Sequence, residues 1–536
     1  MNSVMLPDPA SLESMTPETP PPAQVPSHVA KRLIGGTSAL GAAVFLERGS
    51  SFLANILAAR LGGAATFGAY SLAISQANNI STYAAGGIGA TAARFSGKYP
   101  KGTPGYKTLG HALAIVSLVS AFLASMGLWL GAAPIAHFLH KESLTGLLRW
   151  AALSAAGIIL LECARGFFVG QRRHAALMLL SLTVGAGMIF FIPLAAHRHN
   201  PVHMIVSQGL ITTSAVVVCL LLARRLGLVA DPELRPSPLA PMLREVWTFG
   251  FIQLAGLIGT NLSGWWLTAL VARGDKTLIQ MSFFAIASQL RNIVGLAPNL
   301  LTESSYAIMA DRESEKSKTP SHVMALCTFA SMFMALLLAA PGMVLVPWFL
   351  RIVYGRTYGE AAVATAVGLA VAVVHMGSAP AAARLSIVSI RATGTINTIW
   401  AIFVAIAGTV FMLRGGGAGL AMAIYLAAHI LSAVLVLLYL GWKDHVPRGM
   451  VLNFTLGCST CVALAALSVV RNRHPASTLS ITGLMAAIAA ASLTTLFFVG
   501  RSNHWLPDSA AVRRILLAGR ARLARTLSSV GRRSGQ

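Results

Sequence analysis

Apolar runs of about twenty residues, the length that crosses a bilayer as a helix, recur along this chain from Lys31 to Arg501. They do not alternate polar with apolar, as the shorter strands of a membrane barrel would. Only 11% of the 536 residues are charged, against about 25% in a soluble domain, and mean hydropathy is +0.68. A soluble enzyme, a fibrous protein and a disordered chain are excluded. The pattern predicts an all-α polytopic membrane protein.

Fourteen spans are expected, at 33–59, 66–93, 109–131, 147–170, 175–196, 202–223, 246–270, 278–302, 321–349, 360–383, 395–413, 417–441, 450–470 and 478–499. The organisation that follows is a flexible cytoplasmic leader at 1–30, a first lobe of six spans at 31–226 and a linker at 227–245. A second lobe at 246–442, a closing pair of spans at 443–499 and a basic tail at 500–536 complete it. The leader lacks the basic start and apolar core of a signal peptide. The tail has no acid after Asp508, and Val512, Leu516, Leu523 and Leu527 recur at helical spacing. A basic amphipathic helix on anionic lipid is expected there.

The formal charge is +24, from 41 Lys and Arg against 17 Asp and Glu. These bases lie between apolar runs, so they read as topology signals and lipid contacts rather than a nucleic-acid surface. With the N-terminus inside, 28 bases fall on inner segments and eleven on outer ones, so both termini are expected in the cytoplasm. Outer loops are too short for the domain that a membrane glycan polymerase or ligase needs.

An internal repeat is visible at an offset of 213 residues. Leu57-Ala58-Ala59-Arg60 aligns with Leu270-Val271-Ala272-Arg273, and Ser75-Gln76-Ala77-Asn78-Asn79-Ile80 with Ser288-Gln289-Leu290-Arg291-Asn292-Ile293. The shift is six spans, an even number, so the two lobes form parallel repeats about an axis along the membrane normal.

Ionisable groups within a span cost about 2.5–3.5 kcal/mol each on insertion scales and normally face a cavity or a partner. Polar residues concentrate on spans 1, 2, 7 and 8: Glu47, Arg48 and Asn55; Gln76, Asn78, Asn79 and Tyr83; Gln253, Asn261 and Trp265; Gln289, Arg291 and Asn292. Asn55, Asn78 and Gln253 suit ordinary helix-to-helix hydrogen bonding; Arg48 and Arg291, which cannot be neutralised cheaply, suit a cavity between the lobes. Glu47 and Arg48 are adjacent and point to different sides of one helix. Glu162 and Arg165, three residues apart, suit a local ion pair. His375 is expected to be a hydrogen-bonded interior histidine.

Several chemistries are absent from the sequence. Gly97-Lys98 lacks the first glycine of a phosphate loop, so ATP-driven pumping is not expected. There is no HExxH, no nucleophile elbow, no catalytic residue set and no metal or cofactor motif. Cys163, Cys219, Cys327, Cys458 and Cys461 all lie in apolar runs; the Cys458–Cys461 pair reads as two small residues on a helix. Gly86-Gly87-Ile88-Gly89 reads as close helix packing.

The stretch Asn55–Arg94 resembles the opening of bacterial polysaccharide exporters of the Wzx flippase type, within the multidrug/oligosaccharidyl-lipid/polysaccharide exporter superfamily. The matching residues are Ala59-Arg60-Leu61-Gly62-Gly63, Phe67-Gly68-Ala69-Tyr70-Ser71-Leu72-Ala73, Gly87-Ile88-Gly89 and Arg94, with Arg165-Gly166-Phe167-Phe168-Val169-Gly170-Gln171-Arg172 resembling a later family segment. The resemblance implies two six-helix lobes around a cavity lined by spans 1, 2, 7 and 8, and export of an undecaprenyl-pyrophosphate-linked oligosaccharide by alternating access. Arg48 and Arg291 are then expected to engage pyrophosphate, and Gln76, Asn79, Asn261, Trp265, Gln289 and Asn292 to meet sugar. Glu47 or Glu162 is a candidate for coupling to an ion. A polysaccharide polymerase and a chain-length regulator are the expected protein partners. A multidrug or cation antiporter, a lipid II flippase and a membrane polymerase or ligase remain the alternatives.

Overall fold

The computed structural model describes residues 27–85, 87–99, 101–227, 238–313, 319–443, 446–503 and 505. The tail at 509–536 and most of the leader lie outside them. Sixteen α-helices, numbered in chain order, account for nearly all of the described chain. The first lobe holds α1 (Ser27–Gly62), α2 (Ala64–Ala85), α3 (Ile88–Lys98), α4 (Pro104–Phe138), α5 (Thr145–Gly170), α6 (His174–Ala196) and α7 (Pro201–Arg225). The second holds α8 (Leu239–Gly274), α9 (Ile279–Val294), α10 (Leu296–Glu313), α11 (Thr319–Val353), α12 (Ala362–Val388), α13 (Ile390–Met412) and α14 (Ala418–Lys443), and α15 (Arg448–Arg473) and α16 (Thr478–Ser502) follow. The protein is therefore an all-helical, multi-pass membrane protein, as a backbone surrounded by hydrocarbon requires.

Two expected spans are not single helices. The run 66–93 divides into α2 and α3, and the run 278–302 into α9 and α10. At the first break Gly87 has φ 72°, a left-handed conformation that a side chain disfavours, so the Gly-rich run marks a break as well as a close crossing. Helices also run past their apolar cores. α8 starts at Leu239 and α1 at Ser27, so part of the expected linker and the end of the expected leader are helical.

The repeat extends through both lobes. Moving α1 by 213 residues lands on α8 to within one residue, and α4 falls on α11 to within two. Ten helices are long and apolar enough to cross a membrane by composition: α4 to α7 and α11 to α16. The four passes outside that set are α1, α2–α3, α8 and α9–α10, the repeat-related elements that carry the mid-membrane polar residues.

Each lobe packs on itself first. In the N-lobe α1 lies on α6, α4 and α7 lie on α5, and α3 crosses α5; in the C-lobe α12 is central, touching α9, α10, α11, α13, α14 and α15. The lobes meet through α2 against α9 and α8, and α4 against α8. Gly68 sits at this seam, where a Cβ would overlap the Leu278 carbonyl group. Leu278 is itself in the left-handed region, at φ 62°. The contact is backbone to backbone, so neither side can yield by a rotamer change. Replacing Gly68 with Val should cost about 1–3 kcal/mol, the range for overpacking. Thermal unfolding of the purified variant in detergent should show a lower midpoint than the parent, and an unchanged midpoint would refute this account of the seam.

Candidate functional site

The N-lobe closes its charges on one another. Ala43, Ala54 and Ala58 are buried on the face of α1 that packs on α6, and Glu47 shares that face by helical spacing. There the Glu47 carboxylate accepts from Arg165 of α5, and the Ser181 hydroxyl of α6 donates to it at 3.4 Å. The same guanidinium donates to Glu162 at 2.6 Å. The expected Glu162–Arg165 pair is therefore present, and it reaches across to α1. With both carboxylates ionised this unit carries one net negative charge. Arg48, next in sequence, points elsewhere: it is exposed and makes no hydrogen bond or ion pair to a described residue.

At the lobe boundary the Trp265 indole N–H of α8 donates to the Gln76 side-chain oxygen of α2 at 2.5 Å. Gln76 is 3% exposed and its Nε2 is buried without an acceptor. Trp266 donates to Thr409 at 2.8 Å and meets Phe138 of α4 at 5.5 Å between ring centroids. Asn79, expected to face substrate, donates instead to the Ser75 carbonyl of its own helix at 2.7 Å. Asn261 is half-buried one turn before Trp265. Asn55, which suited helix-to-helix bonding, leaves its Oδ1 buried and unpartnered, and the Gln253 side chain lies outside the described residues.

The C-lobe is built differently. Arg291 of α9 lies over the Tyr425 ring of α14 at 5.5 Å, with no carboxylate bonded to it. Trp400 of α13 stacks on the same ring at 6.0 Å and meets His429 at 5.4 Å. His429 stacks on His375 of α12 at 4.6 Å and 23°. The expected hydrogen bond of His375 is not found among the described residues; its ring is stacked instead. His429, Tyr425 and Trp400 escaped sequence reasoning because an aromatic or a histidine in an apolar run carries no motif. Their only linear signal is the spacing of four between Tyr425 and His429, which places both on one face of α14. Asn292 is exposed and Gln289 half-buried, with the Gln289 Oε1 unpartnered.

The lobes are fastened at both ends. At the end where α1 turns into α2, Arg60 donates to the Ile352 carbonyl of α11 at 3.0 Å, and the Tyr358 hydroxyl donates to the Ala59 carbonyl at 3.1 Å. At the opposite end, Lys98 of α3 pairs with Glu245 of α8 at 2.6 Å, which raises the lysine above its ordinary pKa through that hydrogen bond. Arg94 lies over Phe249 at 4.4 Å. A cleft of about 680 Å³ opens beside this pair, lined by Arg94, Arg244, Glu245 and Phe249 among others. The fastening is uneven. α4 packs along α8, whereas the repeat-related α1 and α11 do not pack along their length among the described residues.

Five of the ten candidate residues fall into three groups: Glu47 with Glu162, Gln76 with Trp265, and Arg291 with ring partners the sequence did not supply; Arg48, Asn79, Asn261, Gln289 and Asn292 join none of them through a hydrogen bond among the described residues. No hydrogen bond joins Arg48 to Arg291. Removing Arg165 should leave two carboxylates facing each other in a partly desolvated site, at a cost of about 3–5 kcal/mol for a broken buried pair. Arg165→Leu should unfold at markedly lower temperature, and Arg165→Leu with Glu47→Gln should recover part of the loss. Equal melting of all three proteins would remove the linkage.

Residues 33–308 match the family of polysaccharide biosynthesis proteins. No curated protein matches the chain. Among solved structures, the lipid II flippase MurJ in its inward closed conformation is similar at TM-score 0.62 and 12% identity, over 86% of this chain and 98% of that one. An inward-facing multidrug resistance MATE transporter of the MOP superfamily is similar at TM-score 0.53 and 14% identity, over 75% and 98%. A MOP superfamily transporter from Pyrococcus furiosus, described by the reverse polarity of its binding pocket, gives 0.53 and 14% over 81% and 96%. At these identities the likeness shows the fold alone. With the family match spanning more than half of its length, the chain belongs to the polysaccharide biosynthesis protein family.

Proposed function

We propose that the protein is a flippase that carries undecaprenyl-pyrophosphate-linked oligosaccharide repeat units across the bacterial inner membrane, by alternating access of its two lobes, for exopolysaccharide or O-antigen assembly. The observation that carries this reading is Arg291, a guanidinium held among rings in the C-lobe with no carboxylate bonded to it among the described residues. A pyrophosphate headgroup crossing hydrocarbon requires a fixed cation of this kind, and a guanidinium fork matches phosphate oxygens. Arg48, exposed and unpaired on α1, is the second cation, and Gln76, Trp265, Asn261, Gln289 and Asn292 are the sugar-facing polar groups. Asn79 joins them through its amide oxygen and second N–H, one N–H being bonded to its own helix. The base-rich end, with Lys98, Arg94 and Arg244, faces the cytoplasm, and the basic tail lies on the anionic leaflet.

The alternatives are weighed by the same chemistry. A cation antiporter calls for a free deep carboxylate, yet Glu47 and Glu162 share Arg165. A glycan polymerase or ligase calls for catalytic groups on an outer domain. At that end the described connections are short, the longest being residues 354–361 between α11 and α12. A lipid II flippase has the same architecture and differs in its glycan. Glu47 and Glu162 remain the sites for coupling to an ion gradient, and a Glu47→Gln protein that still responds to the gradient would clear Glu47 of that role.

The deciding experiment is a deletion strain assayed for surface polysaccharide and for lipid-linked oligosaccharide on each leaflet. Repeat units should be trapped on the cytoplasmic leaflet, with polymer restored by the intact gene. The Arg48→Ala, Arg291→Ala double variant should insert normally yet restore no polymer. Full restoration by that variant would overturn the assignment of the two arginines. Repeat units accumulating on the outer leaflet would favour the polymerising enzyme, and normal polysaccharide with heightened sensitivity to cationic drugs would favour the antiporter.

A further inference from the structure

The C-lobe contains a group of hydrogen-bond donors with nothing to donate to. Arg291 makes no hydrogen bond or ion pair to a described residue and rests on Tyr425 at 5.5 Å. The Trp400 indole N–H is buried without an acceptor, 5.4 Å from His429 between ring centroids. His429 and His375 lie face to face at 4.6 Å, and neither ring is hydrogen-bonded to a described residue. The charge that acts on both imidazoles is the Arg291 guanidinium. A guanidinium, an indole N–H and two imidazole edges, all unspent, form the complement of an anion.

The group also borders open space. α12 is the most buried of the ten apolar spans, with 83% of its central segment inside the fold. Ala372, Val373, Val374 and Met376 around His375 are all buried, yet His375 is exposed. Because α9, α10, α11, α13, α14 and α15 flank α12, that exposure faces the interior of the fold. Polar groups left unspent inside a membrane protein are costly to maintain.

We infer that Arg291, His375, His429 and Trp400 form a pocket for a phosphate-type oxyanion within the C-lobe. Several acceptor oxygens on one small group can meet donors arriving from α9, α12, α13 and α14 together, as a single-atom anion cannot. The oxyanion is either the pyrophosphate end of a lipid-linked sugar or free inorganic phosphate. The pocket deepens the flippase reading, and rests on it only for the first of these sources.

The test uses the purified full-length chain in detergent, with inorganic pyrophosphate titrated by calorimetry and sodium chloride as the comparison anion. The parent should bind pyrophosphate in preference to chloride. Arg291→Ala should weaken binding by about tenfold or more, as expected for loss of a charge-assisted contact. The His375→Phe, His429→Phe double variant keeps the stacked rings and removes their N–H groups; it should melt like the parent and lose a similar factor. The His375→Gln, His429→Gln double variant, which restores donors, should regain most of it. No pyrophosphate binding by the parent, equal binding of chloride, or undiminished binding by the double Phe variant would each overturn the pocket. A short-chain polyprenyl pyrophosphate competing for the site would assign it to the lipid-linked source, and competition by inorganic phosphate alone would assign it to the free ion. Expressed in the deletion strain, a double Phe variant that has lost binding but restores polysaccharide would keep the pocket and remove its link to export. Undiminished binding beside trapped repeat units in the deletion strain would do the reverse.

Discussion

Hydrocarbon offers no partner to a charge or to an unpaired peptide group, and most of this molecule can be understood as the set of arrangements that meet that constraint. The backbone answers by being helical throughout the described spans. Where the helical ladder is interrupted, a side chain repairs it. Pro347, inside α11, cannot donate to the Met343 carbonyl, and Arg471 of α15 donates to that oxygen at 3.2 Å and to the Val344 carbonyl at 2.7 Å. Charges are handled in two contrasting ways. The N-lobe pairs them internally through Glu47, Arg165 and Glu162, while the C-lobe sets Arg291 among rings with no ion pair to a described residue.

That contrast matters because the two lobes are copies of one design. The offset that relates Gln76 to Gln289 also relates α1 to α8 and α4 to α11, so the backbone geometry is close to duplicated. Position 78 in the first copy is Asn and its equivalent in the second is Arg291. One substitution in a repeated helix thus gives a neutral site in one lobe and a cationic one in the other. The seam is duplicated imperfectly as well, tight where α4 meets α8 and slack where α1 meets α11.

The fold was legible because its signals are local. Span length and the polar fragment Ser75–Ile80 needed no knowledge of tertiary contacts, and they pointed to a two-lobed helical architecture. Helix ends were less legible: α1 and α8 continue beyond the hydrocarbon, where hydropathy no longer reports on helicity, and Gly87 breaks a run that hydropathy reads as continuous. The site was readable only in part. Glu162 with Arg165 could be anticipated from a spacing of three, but the bond from Arg165 to Glu47 spans 118 residues and has no periodicity to announce it. Asn79 looked like a cavity residue because its side chain is polar, whereas a carbonyl four residues back was the nearer acceptor. His429 and Trp400 became meaningful only once α12, α13 and α14 were seen to converge on Arg291.

Arg471 has a mechanical consequence beyond the repair of one carbonyl. It rivets α15 to α11, and α15 and α16 pack on α11 and α12 rather than on the N-lobe. The closing pair is ballast carried on one side. In any motion that swings the lobes against each other, the heavier body has more bilayer to displace and turns less. The lighter N-lobe would then sweep the wider arc, and the lipids beside α15 and α16 would be the less disturbed.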